Sequence, residues 1–136
     1  MNWEEELVIK NRKLKFDKNL IDRAMCNIVN NIMEYADKYK VNLHPSYVSQ
    51  QYLDIGKENK VRVLFSFLDD DTLRIKIDNA SLKFATISLN GYYCTVEYNN
   101  LNDEDKPNYK TNYYYNLSEE ILSEVIGNVL RINKEI

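Results

Sequence analysis

The chain has 136 residues, a formal net charge of −3 at pH 7 and two cysteines. This length predicts a single domain over residues 1–136, and the mild acidity argues against general nucleic-acid binding. We expect a cytoplasmic protein, because the sequence has no apolar run long enough to cross a membrane, no secretory signal and no disulfide framework. The abundance of Asn, Lys, Ile and Tyr, whose codons are rich in A and T, indicates a bacterial genome of low GC content or a phage.

Two helices are predicted before the first strand. Asn2 begins a capping box, which predicts a short helix over residues 3–10, although residues 13–16 are compatible with a short strand. Asp17 is a good N-cap for a longer helix over residues 18–39. The apolar face of this helix is predicted to be buried and comprises Ile21, Met25, Ile28, Ile32, Tyr35 and Tyr39.

Residues 45–55 fit two different elements. Pro45 suits the first turn of a helix, with Gly56 at its end. A strand over residues 47–55, followed by a turn at residues 56–59, is slightly favoured because the next segment alternates. The sequence leaves both alternatives open.

Residues 61–98 alternate between apolar and polar side chains in four consecutive segments, a pattern typical of an antiparallel meander with one buried side. A three-residue loop at residues 69–71 pairs Phe67 with Leu73 and keeps the apolar side chains on one face. The residues predicted on this buried face are Val63, Phe65, Phe67, Leu73, Ile75 and Ile77.

Asn90 and Gly91 are a strong signal for a type I′ hairpin turn, which pairs Ile87 with Cys94. The polar residues 99–112 that follow the hairpin form a long loop, and such loops are usually either functional or mobile.

The end of the chain predicts a last strand over residues 113–115 and a final helix over residues 118–133, with Asn116 as its cap. The fold class is therefore α+β. A twisted antiparallel meander of five or six strands is covered on one face by a long N-terminal helix and a C-terminal helix.

The sequence contains no catalytic or cofactor-binding motif. Three glycines cannot supply a Walker loop or a dinucleotide fingerprint, and the single histidine, His44, cannot build a histidine-rich metal site. Cys26 and Cys94 are expected to pack as small apolar residues. The acidic runs at residues 69–71 and 103–105 fit solvated turns better than a calcium loop. We expect a non-enzymatic protein without a metal or another cofactor.

Two features point to binding. The outward side of the meander carries Arg62, Arg74 and Lys76, a basic strip suited to a phosphate or an acidic partner, although exposed sheet faces are commonly polar. The chain also has eleven tyrosines against one tryptophan, and tyrosine supplies rigid contact area at interfaces. The tyrosines expected at the surface are Tyr93, Tyr98, Tyr109 and Tyr114. Those expected in the core are Tyr35, Tyr39, Tyr92, Tyr113 and Tyr115. The candidate binding residues are Arg62, Arg74, Lys76, Tyr93, Tyr109 and Tyr114.

The function these features favour is a non-enzymatic binding protein that recognises and inhibits another macromolecule, most simply a protein. Immunity proteins of toxin systems and phage proteins that block host defence are of this kind. The alternative is a small-ligand-binding protein for a nucleotide or another phosphorylated metabolite, with the basic strip on the phosphates and Tyr93 or Tyr114 stacked on the base. Self-association as a homodimer is compatible with either function.

Overall fold

The computed structural model describes residues 2–56, 61–78, 82–90 and 92–136. Within these ranges the chain forms three helices and seven strands. The helices are α1 (Trp3–Asn11), α2 (Lys18–Tyr39) and α3 (Glu119–Ile132). The strands are β1 (Ser46–Val48), β2 (Tyr52–Asp54), β3 (Arg62–Asp69), β4 (Thr72–Ile77), β5 (Phe84–Asn90), β6 (Tyr93–Asn99) and β7 (Asn112–Tyr114).

The strands form one antiparallel sheet in the order β1 to β7, so each strand pairs with its neighbours in the chain. The predicted α+β class is confirmed, but the sheet has seven strands among the described residues where five or six were expected. The difference arises at residues 46–54. This segment is a hairpin of two short strands because a tight turn at residues 49–51, with Gln50 at φ 60°, divides the expected strand. Residues 57–59 of the predicted turn lie outside the described residues.

Helix α2 has the predicted bounds. The carboxylate of Asp17 accepts hydrogen bonds from the backbone N–H groups of Asn19 and Leu20 at 3.0 and 3.3 Å. The prediction that its whole apolar face is buried is wrong at the C-terminal end, where Tyr35 and Tyr39 are exposed. Ala36 is the buried residue at this end, so the buried face passes through position 36 and leaves positions 35 and 39 outside it.

The register of β3 and β4 is as predicted, with Phe67 opposite Leu73. The predicted three-residue loop at residues 69–71 is wrong, because Asp69 pairs with Thr72 and only residues 70 and 71 connect the strands, while an irregularity between Phe67 and Asp69 takes up the extra residue. The register predicted for β5 and β6 is wrong by two residues, because Ile87 pairs with Val96 and Leu89 pairs with Cys94. A shift of two residues leaves every side chain on its predicted face, and it creates an additional buried apolar pair, Leu89 with Cys94. Gly91, central to the predicted turn, lies outside the described residues.

Helices α2 and α3 cover the apolar face of the sheet and share one core with it. The N-cap of α3 is Ser118, whose hydroxyl accepts a hydrogen bond from the Ile121 N–H at 3.2 Å. The prediction of Asn116 as this cap is therefore wrong, because Asn116 lies two positions before the N-cap Ser118 and its side chain accepts a hydrogen bond from Arg12. The fully buried residues with the largest side chains are Ile21, Met25, Leu53, Leu73, Ile75, Ile87 and Leu122.

Most of the tyrosines that were predicted to be exposed or buried are found in the other environment. Tyr113 and Tyr115 are exposed, whereas Tyr98 and Tyr114 pack against the core. The side on which each residue of β7 lies is determined by its pairing with β6, in which Tyr114 lies opposite the buried Cys94. A run of three identical residues contains no alternation that would reveal this register.

Candidate functional site

The face of the sheet opposite α2 and α3, here called the open face, holds the three predicted basic residues. Arg62, Arg74 and Lys76 alternate along β3 and β4 with side chains of the buried core. Ser66 lies opposite Arg74 and Leu64 lies opposite Lys76, in the register that pairs Phe67 with Leu73. The predicted basic strip is therefore present on a side of the sheet that α2 and α3 leave uncovered.

Two of these three cations are already engaged by neighbouring side chains. The guanidinium of Arg62 lies 4.0 Å from the centroid of the Tyr52 ring, and its Nη2 is 3.3 Å from the carboxylate of Asp54. The guanidinium of Arg74 lies 4.5 Å from the centroid of Phe84. Stacking on a ring leaves the N–H groups at the edge of a guanidinium available to an anion. The ion pair with Asp54 occupies part of that edge in Arg62, so fewer of its N–H groups are available.

The structure separates the predicted tyrosines from this basic strip. Tyr93 begins β6, two strands away from Arg74 on β4, which is about 10 Å across the sheet. Tyr114 faces the core, and burial raises the pKa of its phenol. Tyr109 packs on Tyr98, with 5.5 Å between the ring centroids. Neither Tyr109 nor Tyr114 is therefore placed on the open face beside the cations.

Tyr93 instead belongs to an aromatic group at the β6–β7 end of the sheet, here called the tyrosine cluster (Tyr92, Tyr93, Tyr113 and Tyr115). The ring centroid of Tyr93 lies 4.1 Å from that of Tyr92, 5.6 Å from that of Tyr115 and 6.0 Å from that of Tyr113. A hydrogen bond with Tyr92 is the main cause that raises the pKa of Tyr93, and burial and the nearby Glu6 carboxylate add to it.

Arg12 joins α1 to the tyrosine cluster. Its Nη2 donates hydrogen bonds to the backbone carbonyl oxygens of Tyr92, at 3.0 Å, and of Tyr115. Its Nη1 donates to Oδ1 of Asn116 at 2.8 Å. One guanidinium therefore binds both the start of β6 and the residues after β7, and it fixes the position of α1 beside them.

A cavity of about 160 Å³ separates α1 from the tyrosine cluster and is lined by Glu6, Ile9, Lys10, Tyr92, Tyr93 and Tyr115. The Nζ atom of Lys10 lies 6.0 Å from the centroid of the Tyr92 ring. Sequence reasoning identified Tyr93 but missed Glu6, Lys10 and Arg12. Nothing in the sequence links these residues, because the contact between α1 and β7 joins segments about a hundred positions apart.

Three large apolar side chains of α1 are exposed. None of the nine residues of α1, all of which the structure describes, is buried. Trp3, Leu7 and Val8 expose 70%, 56% and 68% of their surface. Glu4 and Glu5 lie in the first turn beside Trp3 and are also exposed.

The long loop after β6 is tied to the segment before β5. Lys83 Nζ lies 3.0 Å from the Asp105 carboxylate, and the side-chain N–H of Asn100 donates to the Leu82 carbonyl at 2.7 Å. The ammonium of Lys83 holds the pKa of Asp105 below its usual value.

The two cysteines occupy different environments. Cys94 is fully buried, and burial raises the pKa of its thiol to about 11. The prediction that Cys26 packs in the core is wrong, because the residue is exposed.

Among the described residues, no three or more His, Cys, Asp or Glu side chains are grouped to hold a metal ion. No helix in the same residues is both long and apolar enough to span a membrane.

No family model matches the chain, and no curated protein or solved structure matches it either.

Proposed function

We propose that this chain is a non-enzymatic binding protein that recognises another protein in the cytoplasm and inhibits it by occupying its binding groove. Proteins that neutralise toxins and phage proteins that block host defence work in this way. The observation that supports the proposal is the exposure of three large apolar side chains on α1. Trp3, Leu7 and Val8 lie in water on a helix whose C-terminal end Arg12 joins to the tyrosine cluster.

The exposure of these side chains leaves a stabilising contribution unused. Burying a large apolar side chain contributes about 1.5–3 kcal/mol, and α1 forgoes this contribution at three positions. A nine-residue helix is also too short to be stable alone. The capping hydrogen bond from the Glu5 N–H to Asn2 Oδ1 and the contacts of Arg12 hold it in place. A helix ordered in advance loses less conformational entropy when it binds.

The partner we propose has an apolar groove bordered by lysine or arginine residues. Trp3 and Leu7, four positions apart, follow one another on the helix and suit insertion into such a groove. Glu4 and Glu5 flank Trp3, so a basic rim on the partner is electrostatically complementary to the first turn of α1.

The test compares the native protein with a double variant, Trp3→Ala with Leu7→Ala. The matched control is Met33→Ala, which removes an exposed apolar side chain of α2. Partners are captured from a bacterial lysate and the stoichiometric one is purified. We expect its dissociation constant to rise at least about tenfold for the double variant and to stay unchanged for the control. The partner's own activity should fall as one equivalent of the native protein is added.

Three outcomes would contradict the proposal. The double variant binds the purified partner as tightly as the native protein, no stoichiometric partner appears, or the captured partner keeps full activity when saturated. Light scattering provides a further test. A dimer that dissociates in the double variant would make α1 the interface of a homodimer and would also overturn the proposal.

A second candidate function is the binding of a small phosphorylated ligand, such as a nucleotide, on the open face. It is favoured by the buried Nε of Arg74, which has no hydrogen-bond partner among the described residues. A ligand at a hundred times its dissociation constant adds about 2.7 kcal/mol of stability, which thermal unfolding detects. We expect the stabilisation to disappear in Arg74→Leu and to persist in Lys110→Gln. The absence of stabilisation by any nucleotide or sugar phosphate excludes this candidate.

A further inference from the structure

The cavity between α1 and the tyrosine cluster has the composition of a cation site. Tyr92, Tyr93 and Tyr115 are three of the six residues that line it. The face of an aromatic ring carries negative potential and attracts an ammonium or guanidinium group within about 6 Å of its centroid. Several rings around one small space are the usual means by which proteins bind organic cations.

Glu6 supplies a formal negative charge at the same place. Among the six described residues that line the cavity it is the single acid, and its carboxylate acts on the phenol of Tyr93. The pKa of the Tyr93 phenol lies above its ordinary value of 10.0, so Tyr93 contributes no formal charge at neutral pH. The attraction for a cation therefore comes from Glu6 together with the faces of the rings.

Lys10 shows that a ring face of this cavity accepts an ammonium group. Its Nζ lies 6.0 Å from the centroid of Tyr92, at the outer limit of a cation–π contact. Lys10 is exposed, and its flexible stem allows it to leave. It therefore acts as an internal cation at this site, and an external cation that lies closer to the ring displaces it.

The size of the cavity limits what enters it. A volume of about 160 Å³ is roughly that of five water molecules in the liquid and lies below the range for drug-sized ligands. The end of a lysine or arginine side chain matches this size, whereas a whole nucleotide does not.

We propose that this cavity binds a lysine or arginine side chain of the partner protein, held by the rings of Tyr92, Tyr93 and Tyr115 and by the carboxylate of Glu6. The proposal rests on the proposed function, in which α1 enters a groove with a basic rim. The cavity lies on the inner side of α1, so one residue of that rim reaches it while Trp3 and Leu7 contact the groove.

The test titrates the full chain with three probes and follows tyrosine ring signals by NMR. The probes are N-acetyl-lysine methylamide, N-acetyl-arginine methylamide and the uncharged N-acetyl-norleucine methylamide. We expect at least one cationic probe to shift the signals of the three lining tyrosines saturably, with a dissociation constant in the millimolar range. The norleucine probe should bind at least about tenfold more weakly.

Variants identify the groups responsible. Tyr93→Leu and Glu6→Gln should each weaken binding of the cationic probe several-fold, whereas Tyr93→Phe keeps the ring and should bind like the native protein. Lys10→Gln removes the internal competitor and should strengthen binding. Amide spectra of each variant verify that it is folded.

Either of two results overturns the proposal: no saturable shift with either cationic probe, or no higher affinity for either cationic probe than for the norleucine probe. The titration needs no partner, so its failure leaves the docking of α1 untouched. Conversely, a partner that binds the Trp3 and Leu7 double variant as tightly as the native protein would overturn the proposed function. The titration would still show whether the cavity binds cations.

Discussion

The hydroxyl of Tyr47 in β1 donates a 2.7 Å hydrogen bond to Oδ1 of Asp22 in α2. The same hydroxyl accepts a hydrogen bond from the Gln50 N–H at 2.9 Å, and Ser49 Oγ lies 2.9 Å from both carboxylate oxygens of Asp22. These bonds attach the β1–β2 turn to the helix.

We expect Tyr47→Phe to lower the free energy of unfolding by about 1–2 kcal/mol, because the partly buried Gln50 N–H and the Asp22 carboxylate each lose a partner. Urea denaturation measures the change. Ser49→Ala is the control and should lower the free energy of unfolding by less, because Ser49 is exposed and Asp22 keeps its hydrogen bond from Tyr47. Equal stability of Tyr47→Phe and the native protein would contradict this.

The raised pKa of the same tyrosine leads us to expect a loss of stability at high pH. Burial, with a smaller contribution from Asp22, raises the pKa of Tyr47 from 10.0 to about 12, although the Gln50 N–H opposes the shift. The unfolded phenol ionises first, so the stabilisation is complete below pH 10 and is lost as the pH rises towards about 12. Unfolding free energies across this interval should fall more steeply for the native protein than for Tyr47→Phe. Parallel curves would show that Tyr47 ionises normally.

Two glycines should respond in opposite ways to alanine. Gly56 has φ +78°, and a Cβ there would lie 2.2 Å from the backbone oxygen of His44. Gly56→Ala should therefore lower the unfolding free energy by more than about 1 kcal/mol. Gly127 lies within α3, where an added Cβ would meet only the end of the long Arg131 side chain, at 3.4 Å, among the described residues. Gly127→Ala should raise the free energy by about 0.5–1 kcal/mol. Thermal and urea denaturation test both signs.

Removing the guanidinium of Arg12 should release α1 without unfolding the core. Arg12→Ala loses the hydrogen bonds to Tyr92, Tyr115 and Asn116, while α1 buries none of its described residues. Hydrogen exchange should become faster throughout α1 and remain unchanged in α2 and α3. Lys13→Ala, at an exposed neighbouring position, is the control. Unaltered protection of α1 in Arg12→Ala would show that other contacts hold the helix.

The two thiols should differ in reactivity. Cys26 is exposed, whereas Cys94 is buried with a pKa of about 11, so little thiolate forms at neutral pH. A thiol reagent should rapidly modify one cysteine per chain in the native protein and both cysteines in denaturant. Cys26→Ser should then leave no rapid reaction in the native state, and rapid labelling of that variant would contradict the assigned burial.

The parts of the fold that were predicted correctly depend on interactions between residues close together in the chain. Asp17 caps α2 through residues two and three positions away, and the β3–β4 register follows from alternation on both sides of one short loop. The binding surface depends on contacts between distant segments. Arg12 meets Tyr92 and Tyr115 across 80 and 103 positions, and no local pattern encodes such a contact.

The errors in the sequence prediction have the same origin. A two-residue slip between β5 and β6 preserves the pattern of faces, so alternation alone does not distinguish Val96 from Cys94 as the partner of Ile87. The side of the sheet on which Tyr113 and Tyr114 lie is likewise set by pairing with β6. The open face with Arg74 and Lys76 was predictable, because it follows from alternation within single strands.

The sequential order of the strands also determines when this chain becomes protected during its synthesis. Every hairpin of the sheet forms between neighbours in the chain and is complete early. Helix α3, which packs on α2, β4 and β5, is made after all seven described strands. Until α3 has left the ribosome, the apolar side of β4 and β5 is uncovered, and the nascent chain is at its most prone to aggregate or to engage a chaperone.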